Sequence, residues 1–331
     1  MFVARAPLRI SICGGGTDFP YFFKQYGSSF ISAAINKHVY VMVNKQPHNG
    51  FTLKYSKYEV ADSIEEINHP IIREVLNTIR LSNPKLNVNN LEIATFADLP
   101  SGNGLGSSGS FTVALIQCLN SFFRIHASQV QVGQQAYQLE RFKLGEPVGL
   151  QDQYIAAVGG VTRFEVDKHE QVRIDQYYLS EECIFELNSR LILFNTGISR
   201  SASAILADQE KRISQNETFM WESLKRTQLI GREMESALLQ NDIEAYGSLL
   251  NDHWYEKRAK TKSITNTSID LIYDLGLKNG ALGGKLVGAG GGGYVLFLAN
   301  DIVRLRREMA TNGLTELPFD FEKSGTSIVQ W

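Results

Sequence analysis

The chain has 331 residues, long enough for two domains, each with a core of its own. Its 33 Lys and Arg nearly balance 35 Asp and Glu for a formal net charge of −2. No basic run is long enough for a nucleic-acid stripe or a polybasic membrane patch, so the expected partners are small molecules, with no nucleic acid and no membrane. Cys13, Cys118 and Cys183 are odd in number and lack any C-x-x-C or zinc spacing, which excludes a disulfide scaffold and points to reduced thiols in a cytoplasmic protein.

In chain order, β-branched and aromatic runs at 2–13, 30–35, 39–45, 51–55 and 91–96, bounded by Gly, Asn and Pro, predict strands. Arg5 and Arg9 interrupt the first of these, so no signal-peptide core is expected there, and no apolar run approaches the roughly 18 residues of a membrane span. From Gly106 the period changes. Phe111, Leu115, Leu119 and Phe122 recur at helical spacing, and Val130, Gln134, Tyr137 and Arg141 mark a second helix with no strand between the two. Strands are expected again at 159–166, 171–177 and 190–195, the last as a crossing between lobes. A helical stretch from Ser203 to about Lys260 follows, on which Tyr246, Leu249, Leu250, His253 and Lys257 share a face that starts apolar and ends basic. A helix at 267–278, strands at 281–287 and 294–298, a helix at 302–312 and a strand at 327–331 complete an α+β ending.

Three glycine-rich segments carry the chemistry: 5–20 (RAPLRISICGGGTDFP), 99–110 (LPSGNGLGSSGS) and 285–293 (KLVGAGGGG). A backbone without Cβ reaches positive φ and turns its N–H groups toward an anion at close range. The middle segment follows a strand and opens a helix, so free N–H groups and the positive end of the helix dipole converge there, and phosphate is the natural occupant. It contains a formal G-x-G-x-x-G at 104–109. A dinucleotide fold, however, wants a second strand and an acidic residue about 20 positions on, and 103–139 holds no Asp or Glu at all. No Walker G-x-x-x-x-G-K-[ST], no H-R-D or D-F-G set and no H-E-x-x-H spacing occurs, so any metal is expected to arrive with a phosphate.

Taken together, these segments resemble the GHMP kinases. P-x-x-x-G-L-G-S-S is matched at 100–108, A-P-x-R at 6–9 and G-A-G-G-G-G at 288–293. Within that superfamily GGGTDFP at 14–20, GLQDQYIAAVGG at 149–160, TGISRSAS at 196–203 and HWYEKR at 253–258 are most similar to bacterial D-glycero-D-manno-heptose 7-phosphate kinases. The resemblance implies a two-lobed α+β fold. Its N-terminal domain at 1–186 is like ribosomal protein S5 and its C-terminal domain at 187–331 is ferredoxin-like. It implies phosphorylation of an anomeric C1 hydroxyl with ATP and Mg²⁺, for surface-polysaccharide precursors, in a protein whose oligomeric state, a homodimer among the options, is open. A fucokinase- or galactokinase-like enzyme and a non-catalytic sensor on the same fold are the alternatives. A decarboxylase related to the mevalonate-diphosphate enzymes has no use for the GGGTD segment.

The same resemblance distributes roles. Asp152 faces the acceptor hydroxyl, and Arg9 holds it ionised and offsets charge on the moving phosphoryl group. Gly102, Gly104, Leu105, Gly106, Ser107, Ser108 and Gly109 hold the ATP phosphates. Glu140 with Ser108, or alternatively Ser107, ligates magnesium. Asp18, with Gly15, Gly16 and Thr17, binds the sugar, or Asp18 caps the helix that Phe19 and Pro20 begin. Galactokinase has Glu and His where this chain has Gly15 and Gly16, so the glycines are expected to make room for a 7-phosphate. That dianion needs cations, and Arg200, Lys257 and Arg258 are the candidates by position. Gly290 and Gly291 are expected to bring backbone close to substrate, while Lys285 serves the nucleotide.

Overall fold

The computed structural model describes residues 1–329 apart from 177, 199–201, 216 and 262. The elements follow in the order β1 (Phe2–Cys13), α1 (Pro20–Tyr26), β2 (Ser28–Lys45), β3 (Phe51–Lys54), β4 (Tyr58–Ala61), α2 (Pro70–Ser82), β5 (Leu91–Ala97) and α3 (Ser107–Phe122). Next come α4 (Gln129–Gln138), a π-helical turn (Leu139–Lys143), α5 (Gln151–Val158), β6 (Val161–Val166), β7 (Val172–Asp175), α6 (Glu181–Arg190) and β8 (Leu191–Asn195). The rest is α7 (Ala202–Ser214), α8 (Thr218–Leu239), α9 (Ile243–Ala259), α10 (Thr267–Lys278), β9 (Ala281–Leu286), β10 (Tyr294–Ala299), α11 (Ile302–Thr311), β11 (Thr315–Leu317) and β12 (Ser327–Ile328). The architecture is α+β with two sheets, as expected. No described helix is long and apolar enough to cross a membrane.

The first sheet runs β12-β1-β2-β5-β3-β4, with β6 and β7 continuing from the other half of β2. The runs at 30–35 and 39–45 are one strand. β2 pairs with β6 through its first half and β5 through its second, and it swings from one to the other at a bulge where Pro7 opposes His38 and Leu8 opposes Ile35. A proline that cannot donate to the ladder is tolerated at such a bulge. Arg9 follows two residues later on β1. The second sheet, β11-β8-β10-β9, is antiparallel.

Three helices, α2, α5 and α6, lie where the sequence reading assigned no element. Pro70 opens α2, whose Ile72, Val75, Leu76 and Ile79 form an i, i+3, i+4, i+7 stripe buried under the first sheet. Ser180 caps α6 by accepting from Cys183 N at 3.1 Å. The single helical stretch expected from 203 to 260 is three helices. Asn241 breaks it with φ +55°, and Asp242 caps α9 by accepting from Ala245 N at 2.9 Å.

One buried cluster joins the two sheets: Leu8, Ile10 and Ile12 of β1 pack with Tyr246 and Leu250 of α9 and Leu296 and Leu298 of β10. The Tyr246 hydroxyl donates to the Ile12 carbonyl at 3.1 Å. A second core, with Phe194, Trp254, Tyr273 and Phe297, lies wholly within the later part of the chain. The proposed division at 186/187 falls inside α6, and β12 returns to pair with β1, so the last residues join the first sheet.

Candidate active site

Between the sheets lies a cleft of about 390 Å³, lined by all three glycine segments together with α5, α7 and α9. Its first wall is the turn from β5 into α3. Gly106 is the N-terminal cap of α3 and takes φ +79°, no side chain caps the helix, and its first turn holds no acidic residue. The leading N–H groups of α3 and its positive dipole end therefore face the cleft without an internal carboxylate competing for them. Glycine is required here by packing as well as conformation. A Cβ on Gly106 would lie 3.1 Å from Arg9 Cγ, and one on Gly109 would lie 2.9 Å from Asp152 Cβ.

Arg9 and Asp152 meet across that turn. Arg9 Nε donates to Asp152 Oδ1 at 2.7 Å and Nη2 donates to Oδ2 at 2.8 Å, a two-point guanidinium–carboxylate contact. Arg9 Nη1 donates to the Gly104 carbonyl at 2.7 Å, so one side chain ties β1, the glycine turn and the first turn of α5 together. The arginine side chain is 6% exposed and the aspartate 32%, which leaves carboxylate lone pairs facing the cleft.

Glu140 sits on the π-helical turn and is 1% exposed. Ser108 Oγ donates to its Oε2 at 3.2 Å, Oε1 has no hydrogen-bond partner, and burial pushes the carboxyl up to about 7. A buried carboxylate oxygen with no partner beside a serine hydroxyl at a helix N-terminus suits a hard cation such as Mg²⁺, which takes one or two carboxylates and otherwise water and phosphate oxygens. The described residues hold no cluster of three or more His, Cys, Asp or Glu, so the rest of a coordination sphere must come from a ligand.

Asp18 forms the floor. It is 5% exposed, accepts from Gly16 N and Gln151 N at 3.1 Å each, and burial raises its pKa. It does not cap α1, whose N-cap is Phe19 with no side-chain bond. Both carboxylate oxygens keep further acceptor capacity after these N–H groups are counted.

The opposite wall is cationic. Lys257, Lys260 and Lys285 line it with His253; Lys260, Lys285 and His253 are buried and Lys257 is half-buried. Burial lowers Lys260 and Lys285 to about 8, and burial with the neighbouring lysines holds Lys257 well below its ordinary value. Lys257 Nζ donates to the carbonyls of Leu286 (2.9 Å) and Gly288, and Lys285 Nζ donates to the Ile12 carbonyl at 3.0 Å.

Several residues expected at the site lie elsewhere. The Thr17 hydroxyl is fully buried between the Gly14 carbonyl and Ser28 Oγ, and Leu105 is a core side chain. Arg258 does not line the cleft. Its guanidinium lies over the Tyr255 ring and 3.5 Å from Asp270 Oδ1. Gly290 and Gly291 also lie off the cleft, against Ile264, whose carbonyl accepts from Gly291 N at 2.7 Å. The third loop makes its closest approach to protein: a Cβ on Gly288 would meet Gly104 O at 2.6 Å, and one on Gly293 would collide with Asn103 O. Gly15 and Gly16 do line the cleft, and a Cβ on Gly15 would meet the Ser11 hydroxyl, which would have to rotate away. Arg200 lies outside the described residues. Ser11, Gln151, Gln153, His253 and Lys260 line it without having been expected there. Of these His253 lies on the face already noted as ending basic, and Lys260 follows Lys257 by three residues on that face.

The sequence matches the GHMP kinases N terminal domain over residues 71–160 and the GHMP kinases C terminal domain over 234–313, about half the chain in all. It is 27% identical to the D-glycero-alpha-D-manno-heptose 7-phosphate kinase of Campylobacter jejuni, covering 97% of this chain and 96% of that one. To the L-fucokinase/L-fucose-1-P guanylyltransferase of Bacteroides fragilis it is 24% identical over 93% of this chain and 36% of that one. In three dimensions it matches a D-glycero-D-manno-heptose 1-phosphate kinase from Bacteroides thetaiotaomicron with a TM-score of 0.82, at 22% identity over 100% of this chain and 99% of the other. The Lactococcus lactis galactokinase complexed with galactose gives 0.76, at 17% identity over 98% and 94%. With both domains matched in order and a cleft between them built from all three glycine segments, the chain belongs to the GHMP kinases, a family of ATP-dependent kinases.

Proposed function

We propose that this protein is a sugar kinase that transfers the γ-phosphoryl group of ATP to the anomeric C1 hydroxyl of D-glycero-D-manno-heptose 7-phosphate, giving the 1,7-bisphosphate. The observation that carries the reading is the Arg9–Asp152 pair, held at 2.7 and 2.8 Å between a helix N-terminus free of side-chain caps and a wall of lysines. One side of the pair suits a triphosphate and the other suits an anionic acceptor. The Campylobacter relative supports the choice of sugar by its name and by its near-complete coverage.

The backbone of Gly102, Gly104, Gly106, Ser107, Ser108 and Gly109 holds the ATP phosphates, with the α3 dipole adding to the attraction. Ser108 and Glu140 hold Mg²⁺, which when bound screens charge on those phosphates. Asp152 orients the acceptor hydroxyl. The hydroxyl oxygen bonds to the γ-phosphorus as the bond from that phosphorus to the ADP oxygen breaks, and the proton passes to an Asp152 oxygen. A loose phosphoryl-transfer transition state needs little deprotonation beforehand, so the proton leaves late. Arg9 also offsets charge on the moving group. Asp18 accepts from sugar hydroxyls, and Lys257 and Lys285 lend positive potential while fixing the loops that carry them.

A substrate panel with ATP and Mg²⁺ tests this: heptose 7-phosphate, free heptose, fucose and galactose, with the position of the new phosphate read by ³¹P NMR. The expected product is the 1,7-bisphosphate, made faster than any other. Faster transfer to an unphosphorylated sugar overturns the assignment of substrate and leaves a general sugar-1-kinase.

A further inference from the structure

The three lysines of the cleft are not equivalent. Lys257 and Lys285 each donate to backbone carbonyls, whereas the Lys260 ammonium makes no hydrogen bond or ion pair to any described residue, although the residue is only 4% exposed. Its backbone is pinned: Lys260 follows the last turn of α9, its N–H donates to the Lys257 carbonyl, and the Arg212 guanidinium donates to its own carbonyl. The ammonium is not one of the fully buried unpartnered polar atoms, so it opens onto the cleft, where an anionic group of a ligand can reach it.

Two neighbours indicate which ligand. A Cβ on Gly16 would come within 3.8 Å of Lys260 Nζ, and Gly16 holds φ +97°, so the backbone there leaves a side-chain-free path from the sugar floor to the ammonium. His253, 3% exposed and with neither ring nitrogen hydrogen-bonded, lines the same wall. Burial and the charges of Lys285, Lys260 and Lys257 keep it neutral, so one nitrogen donates and the other accepts. The charges felt by Lys260 are those of Asp18 and Glu256, while Lys257 and Lys285 both feel Arg9. Lys260 therefore belongs to the acceptor end of the cleft, away from the glycine turn that faces the nucleotide.

We infer that Lys260, assisted by His253, is a specificity-determining residue that recognises a phosphate monoester on the acceptor sugar, remote from the hydroxyl being phosphorylated, through the gap left by Gly16. This rests on the sugar-phosphate kinase reading and names the residue that reads the second phosphate. Of the three cations expected for that phosphate, Arg200, Lys257 and Arg258, it sets aside Arg258, which lies off the cleft.

The test compares wild type with Lys260→Met and Lys260→Gln, measuring kcat/KM for heptose 7-phosphate and for free heptose, KM for ATP, and thermal stability without ligand. Losing a charge-assisted contact is expected to lower kcat/KM on the phosphorylated sugar by about tenfold to a hundredfold. The loss on free heptose should be much smaller, so the preference ratio collapses. Removing an ammonium that burial disfavours should also raise the melting temperature of the ligand-free protein, which shows that the variants fold. Equal losses on both sugars, or an effect confined to KM for ATP, overturn the inference while the wild-type preference for the phosphorylated sugar leaves the function intact. No such preference in the wild type overturns the function and this inference with it.

Discussion

On the nucleotide wall of the cleft Arg9 has its guanidinium bound by two aspartate oxygens and a carbonyl, whereas on the acceptor wall the Lys260 ammonium has no hydrogen-bond acceptor among the described residues. Both are cations buried in the same cavity. The first is fixed before any ligand arrives, as a group that must act on a short-lived charge distribution needs to be. The second keeps its capacity for a charge that the substrate brings in the ground state, which gives selectivity among acceptors rather than rate. The carboxylates divide the same way: Asp152 is matched by Arg9, while Glu140 is left with an orphaned oxygen and an elevated pKa until a cation reaches it.

The most severe break in this arrangement is Asp152→Asn. The amide keeps the shape of the carboxylate but cannot take the hydroxyl proton, and it presents an N–H₂ to an Arg9 that needs acceptors. Turnover on the best acceptor should fall by about 10²–10⁴-fold, with ATP affinity, measured by calorimetry, changed far less. Retained turnover with intact nucleotide binding would remove Asp152 from the chemistry and leave the pair as a structural clasp between β1 and α5.

The nucleotide wall was legible in the sequence and most of the acceptor wall was not, for a physical reason. An anion cradle made from backbone N–H groups needs consecutive glycines and a following helix, so Gly104, Gly106 and Gly109 announce themselves locally. Arg9 and Asp152 are 143 positions apart, yet each lies in a recognisable short pattern. Lys260 stands at the end of a long helix among several basic residues, and only the packing of α9 against β9 and the glycine floor decides which of them faces inward. Of the cations the sequence offers for the acceptor, Lys257 lines the cleft, Arg258 points to Asp270 instead and Arg200 lies outside the described residues. The third glycine loop shows the limit differently. Its composition correctly implied a close approach, but the atoms approached are those of Gly104 and Asn103, a contact no local pattern specifies. The bulge that turns two predicted strands into one likewise depends on β1, β5 and β6 being present at once.

Glu140→Gln sharpens the contrast between matched and unmatched carboxylates. The folded pKa of Glu140 is raised from 4.5 to about 7 by burial, so the folded state holds its proton more tightly than the unfolded chain. The resulting penalty is absent at pH 4, grows as pH rises toward 7 and is complete above that, at up to about 3 kcal/mol. Without metal, the Gln variant should be more stable than wild type in urea at pH 8 and equal to it at pH 4. Adding Mg²⁺ with nucleotide should reverse the order at pH 8, because only the carboxylate gains a cation, and activity should fall in the variant. A variant that gains no stability at pH 8 would mean that Glu140 is satisfied without a cation.

Arg258→Ala should have the smallest effect and separates position on the helix from position in the cleft. Arg258 is two residues from Lys260, about 200° round an ideal helix, and its guanidinium is occupied by Asp270 and the Tyr255 ring. Partly exposed ion pairs of this kind contribute little to stability. The preference for phosphorylated over free sugar should therefore stay within about twofold of wild type, since a difference of a few tenths of a kcal/mol is less than a factor of two in an equilibrium constant. If Arg258→Ala instead removed that preference and Lys260→Met did not, the second phosphate would be read from the outer face of α9. The Lys260 ammonium inside the cleft would then serve the transferring phosphoryl group, and the two walls would share one task.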